Sequence, residues 1–281
     1  YRCIGRGNCG SVWALDGDQE DVYKREDGAQ GRSILNDQTM HRRVLSSAPP
    51  IRVPRSFSII EASDSEWWAG ANGLARFPNA MSPCRTYHMQ RIPAMPEAVR
   101  RKLIDEYCPK SLQAFVTTNR DDEDCLIRLY LGRRRALRQA ARFQFFSLRN
   151  FPLHVNQMED LGMDTHALAR VLADCLAHCH WKARVDANDV EFVLAPATVR
   201  EDDRAELPLV QAFGGEYAVW MLDYDCCREM SMDEEGVDQA VRAFYRNDPY
   251  YPRPFAYGYT DVDGLLWQTF RTRFLECSRR I

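Results

Sequence analysis

The stretch Arg2-Cys3-Ile4-Gly5-Arg6-Gly7-Asn8-Cys9-Gly10-Ser11-Val12-Trp13-Ala14, with Asp21-Val22-Tyr23-Lys24 shortly after it, decides the fold. Polar and apolar residues alternate on both sides of the glycine turn, and Asp16-Gly17-Asp18 supplies a second turn. The pattern predicts two hairpins, and so three short strands. Within it, Gly5, Gly7 and Gly10 put small residues where backbone amides can close on phosphate oxygens with no side chain between. Lys24 stands where a lysine would reach those phosphates. The plainer alternative is a glycine-rich hairpin with an exposed lysine.

Composition sharpens the reading of Lys24. Of 37 cationic side chains only Lys24, Lys102, Lys110 and Lys182 are lysines, so arginine supplies the other 33. A lysine inside a motif is therefore not there merely for surface charge. The 281-residue chain is 45% hydrophobic and 27% charged, which is globular composition and excludes a disordered chain. A net charge of -3 excludes a polycation while leaving room for a local basic face. No apolar run is long enough for a membrane span, and no basic-then-apolar leader opens the chain. Opening at Tyr1, directly before a motif, points to residues upstream. The ten cysteines are scattered and include no Cys-x-x-Cys, which predicts a reducing, cytoplasmic setting.

Working outward, helical spacing predicts helices over 31–47, 97–107, 122–147, 164–182, 233–246 and 261–278. Ile51 to Ala62, Thr86 to Ile92, Val190 to Leu194 and Tyr217 to Leu222 read as strands, and Asp64 to Pro83 as a loop. The outline is α+β: a β-rich lobe over 1–93 with the glycine loop, then a mainly helical lobe over 94–281.

Two segments carry the most telling carboxylates. Asp186, Asp189 and Glu191 precede or open the apolar run to Leu194, and Asp223 and Asp225 follow the run ending at Leu222. Strand alternation would put Asp189 and Glu191 on one face, with Val190 and Phe192 on the other. Caps and turns are the alternative role for such residues. Taken with the glycine loop and Lys24, these parts resemble the protein-kinase-like two-lobed fold, with Asp223 ending its strand as the kinase metal-binding aspartate does. The resemblance breaks at the catalytic loop. His180-Trp181-Lys182 has lysine where the kinase base belongs, Asp186 is a substitute base only if that loop is rebuilt, and Asp189 is nearest to the metal-binding asparagine.

The strings HWKARVDANDVEFVLAP (180–196), VWMLDYDCCREMSMDEEGV (219–237) and FYRNDPYYPRP (244–254) resemble, over nearly the whole chain, a fungal family described as "zinc finger protein". Its members include the fungal arginine-containing cyclodipeptide synthases of secondary metabolism. The resemblance implies that arginyl-tRNA and a second aminoacyl-tRNA are joined into a cyclic dipeptide, with no membrane or DNA partner. It implies catalytic roles for Lys24, Asp186, Asp189, Glu191 and Asp223, and substrate contacts for Gly5, Gly7, Gly10 and Asp225. The ester is already activated, so the bond-forming step needs no cofactor. ATP and magnesium belong to the alternatives, a diverged phosphotransferase or an inactive nucleotide-binding module. An acidic motif of that family matches Asp202-Asp203-Arg204-Ala205-Glu206 in spacing, but in a polar stretch where coincidence is the better account.

Arginines crowd the 128–149 region, and Arg134, Arg138 and Arg142 share one face of a helix, with Arg135 adjacent. That stripe is the candidate contact for tRNA phosphates; a solvated face paired to Asp121-Asp122-Glu123-Asp124 is the alternative. Cys175-x-x-His178-Cys179-His180 reads as packed helix rather than a zinc site, because no second ligand pair follows at finger spacing. No metal ligands are assigned.

Overall fold

A computed structural model describes residues 1–78, 81–135, 145–197, 207–247, 249–254 and 260–281. The two hairpins form, as β1 (Arg2–Arg6), β2 (Ser11–Ala14) and β3 (Asp21–Arg25). Helix α1 (Ile34–Ser46) follows, then β4 (Ser56–Ile60) and, later, β5 (Thr86–Gln90). The five strands make one antiparallel sheet in the order β1-β2-β3-β5-β4. The α1 helix starts at Ile34 because the Ser33 side chain accepts the Asn36 amide at 3.3 Å and caps it. The stretch read as a loop holds a helical turn, α2 (Ser65–Ala69), capped by the Asp64 carboxylate on the Trp67 amide at 3.0 Å. It seats Trp68 against Trp13 and Phe77, and the buried Arg25 guanidinium lies over the Trp68 and Phe77 rings.

The second half is less helical than expected. After α3 (Glu97–Tyr107) and α4 (Lys110–Thr118), the described residues of the stretch 122–147, expected as helix, hold the strand β6 (Ile127–Tyr130), and β7 (Phe151–His154) follows. The reason lies in the period: Ile127 and Leu129 are fully buried while Arg128 and Tyr130 are not, a two-residue alternation that the arginine spacing hides. Residues 136–144, which include Arg138 and Arg142, lie outside the described residues. Then come α5 (Val155–Asp160), α6 (Thr165–Ala177), β8 (Glu191–Ala195), β9 (Leu209–Ala212), β10 (Gly215–Leu222), α7 (Glu234–Arg246) and α8 (Asp261–Arg280). The second sheet has the order β7-β6-β8-β10-β9, with β6 and β7 parallel and the other pairs antiparallel. The described chain is thus a mixed α+β structure with two five-stranded sheets.

Two features set up the space between the sheets. Arg52 pairs with Trp220 in a parallel bridge, and the Met221 amide donates to the Arg52 carbonyl at 2.9 Å, so the chain leaving α1 is fastened to β10. Beyond α6, His178–Ala183 forms a π-helical turn that ends at Arg184, in the left-handed region at φ 54°. This turn delivers the chain to Asp186 and β8. Cys175, Cys179 and His180 are buried in the α6 and π-turn packing. Among the described residues no helix is long and apolar enough to cross a membrane.

Gly10 carries the tightest demand in the first hairpin, since a Cβ there would lie 1.8 Å from the Arg25 carbonyl oxygen. Gly10→Ala must push β3 away and is expected to cost about 1–3 kcal/mol, as overpacking does. Gly7→Ala meets nothing within 4 Å and should leave the melting temperature near the parent value. Thermal melts of the two variants read this; equal melting temperatures would show that the hairpin yields freely at Gly10.

Candidate active site

The cleft between the two sheets is roofed by Gly5, Gly7 and Gly10 and floored by Arg128, Glu191 and Asp223. At its centre Lys24, on β3, is buried and bridges two carboxylates: Asp37 at 2.6 Å and Asp223 at 2.8 Å. Burial works against the lysine charge, but Asp223 and Asp37 outweigh it and hold the ammonium well above its ordinary range. Asp223 likewise resists burial, and Lys24 pulls it below the usual carboxylate range. Its backbone is left-handed, at φ 65°, where β10 ends. Asp37 was not singled out from the sequence. Its signal is an acid on the buried stripe Ile34, Asp37, His41, Val44 of α1. The other Asp37 oxygen accepts the Tyr224 amide at 3.0 Å, so α1, β3 and the end of β10 meet on one carboxylate.

His41 backs this centre. Its Nε2 is 2.7 Å from the Pro54 carbonyl, which fixes the proton there, so Nδ1 accepts from Tyr87 at 2.7 Å. Burial lowers its pKa and keeps the ring neutral. Cys9 also lines the cleft, but burial pushes its thiol up to about 12, which removes it as a nucleophile.

Glu191 is the carboxyl whose ionisation the cleft tunes towards neutrality. Burial raises it, Arg128 at 2.8 Å opposes that, Asp223 adds to it, and the result is pushed up to about 7. Arg128, expected on a basic helix face, instead turns into the cleft from β6 as the partner of Glu191. Asp124, also in the wall, is buried and held by Arg91 at 2.7 Å and by Arg2.

The other sequence candidates divide. Asp186 is buried and fully engaged: one oxygen accepts the Asn188 and Arg228 amides at 3.2 and 2.9 Å, the other the Gln239 side chain at 2.9 Å. It holds the loop together and is not among the cleft-lining residues. Asp189 does not share the Glu191 face as strand alternation implied. Its backbone is left-handed, at φ 63°, and it precedes the strand, so its side chain is exposed at the rim. There it meets Asp225 and Cys226, with Arg32 inserted at 2.9 Å from Asp225 and 3.7 Å from Asp189. Burial and then Asp223 raise the Asp225 pKa, against the pull of Lys24 and Arg32.

The glycine loop is partly closed by its own chain. Asp27 accepts the Ser11 amide at 2.8 Å and the Ser11 hydroxyl at 2.6 Å, and the Gly7 amide donates to the Gly10 carbonyl at 2.9 Å. Two amides that a phosphate would want are therefore taken. Arg134 is not available for RNA either: Asp263 at 2.9 Å and Glu159 at 2.7 Å clamp it in bidentate fashion. Arg135 is exposed. Asp202, Asp203 and Glu206 lie outside the described residues.

Comparison with known proteins matches part of the chain to a family. Residues 219–281 fit the family DUF3669, described as "Zinc finger protein". No curated protein and no solved structure matches. The match covers only that C-terminal stretch, not nearly the whole chain, and nothing found indicates cyclodipeptide synthases. The comparison thus overturns the closer resemblance as a family assignment.

The donor set does not fit a zinc finger. The matched stretch contains Cys226, Cys227 and Cys277 and no histidine. Cys227 is buried and donates to the Asn188 carbonyl at 3.3 Å, and Cys226 and Cys277 share no group of converging ligands among the described residues. Among the described residues Asp189, Asp225 and Cys226 are the one group of three potential ligands that converge, and Arg32 already contacts all three.

Removing Lys24 leaves two carboxylates facing each other without a cation. Lys24→Met is expected to cost about 3–5 kcal/mol, as when a buried pair loses one partner. Asp189→Ala, at the exposed rim, should stay within about 0.5 kcal/mol of the parent. Urea unfolding of both variants measures the contrast, and comparable midpoints would show that the Lys24 centre does not carry the fold.

Proposed function

We propose that the two-sheet architecture is protein-kinase-like and that its cleft performs acyl transfer: aminolysis of aminoacyl esters carried on tRNA, joining an arginyl and a second aminoacyl group into a cyclic dipeptide. The reading rests on the chemistry of the cleft and not on family membership. The observation that carries it is Glu191, a cleft carboxyl pushed up to about 7 beside the fixed charges of Lys24 and Asp223. A base that acts on an α-ammonium group near neutral pH needs that tuning.

Each bond-forming step is balanced without a further reagent. Glu191 takes the proton of the attacking amine, the N–C bond forms at the ester carbonyl, and the ester C–O bond breaks. The ribose oxygen then leaves with a proton. The second amine repeats the step on the second ester and closes the ring. Asp225 and Asp189 are carboxylates that accept a guanidinium, that of Arg32, and an arginyl substrate would have to displace it to bind there.

A phosphotransferase is the second reading, favoured by Lys24 between Asp37 and Asp223 beneath a glycine loop. Against it stand the Asp27 contacts that occupy the loop amide and the engagement of Asp186 at the place of a base.

Expression in a bacterial host with mass spectrometry of the medium tests the proposal, and an arginine-containing cyclic dipeptide is the expected product. Glu191→Gln should lower the rate by about 100-fold or more, the usual contribution of a general base. The parent rate should rise with pH through about 7 as Glu191 loses its proton, then level off. Stability runs the other way: the raised folded value makes the native state hold the proton more tightly, so this contribution falls as pH rises to about 7. Absence of the dipeptide from soluble, intact protein, together with a melting temperature raised by Mg-ATP, would sink acyl transfer in favour of the second reading.

A further inference from the structure

With Arg134 clamped by its own carboxylates, the chain offers another basic surface. Four cations gather around the end of the π-helical turn. Lys182 and Arg184 flank Ala183, and Arg43 of α1 donates to the Ala183 carbonyl at 2.7 Å. Arg228 faces the same segment across the isolated antiparallel bridge between Val185 and Glu229. The Met230 amide donates to the Arg184 carbonyl at 3.0 Å, and the Asp186 amide to the Arg228 carbonyl at 3.0 Å.

The backbone that carries Arg184 and Arg228 is fixed. Arg184 takes up the left-handed conformation that closes the turn, and Asp186 grips the Arg228 amide from beneath at 2.9 Å. Lys182, Arg184 and Arg228 are exposed. No carboxylate among the described residues forms an ion pair with any of the three. The exposed Glu229 is spent on Arg43 at 2.8 Å, and the charge of Asp186 is met by amides. Lys182, Arg184 and Arg228 thus stand exposed on two backbone-paired segments, where their charge is open to phosphates.

Its position selects the polyanion. Asn188, two residues beyond Asp186, bonds the Cys226 carbonyl at 3.2 Å beside the Asp189 and Asp225 carboxylates, and Asp225 stands two residues beyond Asp223 of the cleft floor. The basic surface is therefore continuous through the chain with the acidic mouth.

We propose that Lys182, Arg184 and Arg228 dock the phosphate backbone of the tRNA whose aminoacyl end enters the cleft. The inference rests on the acyl-transfer reading and adds the RNA-binding surface to it.

The test is binding of fluorescently labelled tRNA over a range of salt, for the parent, Lys182→Glu/Arg184→Glu/Arg228→Glu and a control, Arg279→Glu/Arg280→Glu, at the far end of α8. The milder pair Lys182→Ala/Arg228→Ala, which leaves the left-handed position untouched, guards against misfolding of the triple variant. The triple variant should bind roughly tenfold more weakly or worse near 0.1 M salt, and the salt slope should fall by about one per lost contact. The alanine pair should move the same way, and the control should match the parent. Parent-like affinity and slope in both patch variants would overturn the docking surface, and continued dipeptide synthesis by the parent would leave the cleft reading intact. A parent that neither binds tRNA nor makes a dipeptide overturns both.

Discussion

One buried ammonium holds the molecule's parts in register. Lys24 comes from the first sheet, Asp37 from the helix behind it and Asp223 from the end of the second sheet, so all three elements share one electrostatic contact. Such a centre is not itself a large source of stability, since desolvation offsets much of the attraction. Its effect is specificity. Any arrangement that misplaces α1 or β10 leaves an unpaired charge in a closed space, and the surrounding contacts follow that constraint. Asn36 bonds the Asp225 and Cys227 carbonyls at 2.9 and 3.0 Å, and Arg43 reaches Ala183. Helix α1 therefore aligns the cleft along its whole length.

Around this centre the cleft separates its carboxylates by environment. Asp223 is kept ionised by a direct cation, Glu191 is carried towards neutrality by burial against Arg128, and Asp225 is raised beside Asp223. Three acids brought close together by the fold thus have different proton affinities, a condition that acid–base chemistry needs and surface acids do not meet. The same loop geometry that exposes Asp189 locks Asp186, which explains why neighbours that look alike in sequence have unlike roles.

Much of this was legible in the sequence, for reasons tied to particular residues. The first hairpins follow from alternation around Gly5, Gly7 and Gly10, and α3, α7 and α8 from apolar spacing. Lys24 stood out because lysine is scarce. The run from Ile127 to Tyr130 was misread because four alternating residues are a weak signal beside an arginine series at helical spacing. Asp37 escaped notice because its importance depends on partners 13 and about 190 residues away, and no local pattern encodes that. The left-handed backbone at Asp189 likewise cancels the alternation that placed it beside Glu191. Residues fixed by local period were readable; those fixed by long-range charge pairing were not.

The bridge between Arg52 and Trp220 gives the two sheets a common pivot on one side, while the bond between Lys24 and Asp223 closes them on the other. Opening the cleft about that pivot would leave Lys24 paired with Asp37 and part it from Asp223. Asp223, which Lys24 lowers more than Arg128 or Asp225 does, would then hold a proton more readily. Opening and proton uptake are thus thermodynamically linked. The preference for the closed form is complete above the open-state pKa of Asp223 and is lost as pH falls through its lower closed-state value. In such an opening the scarce lysine would make reclosure of the cleft a proton-releasing step.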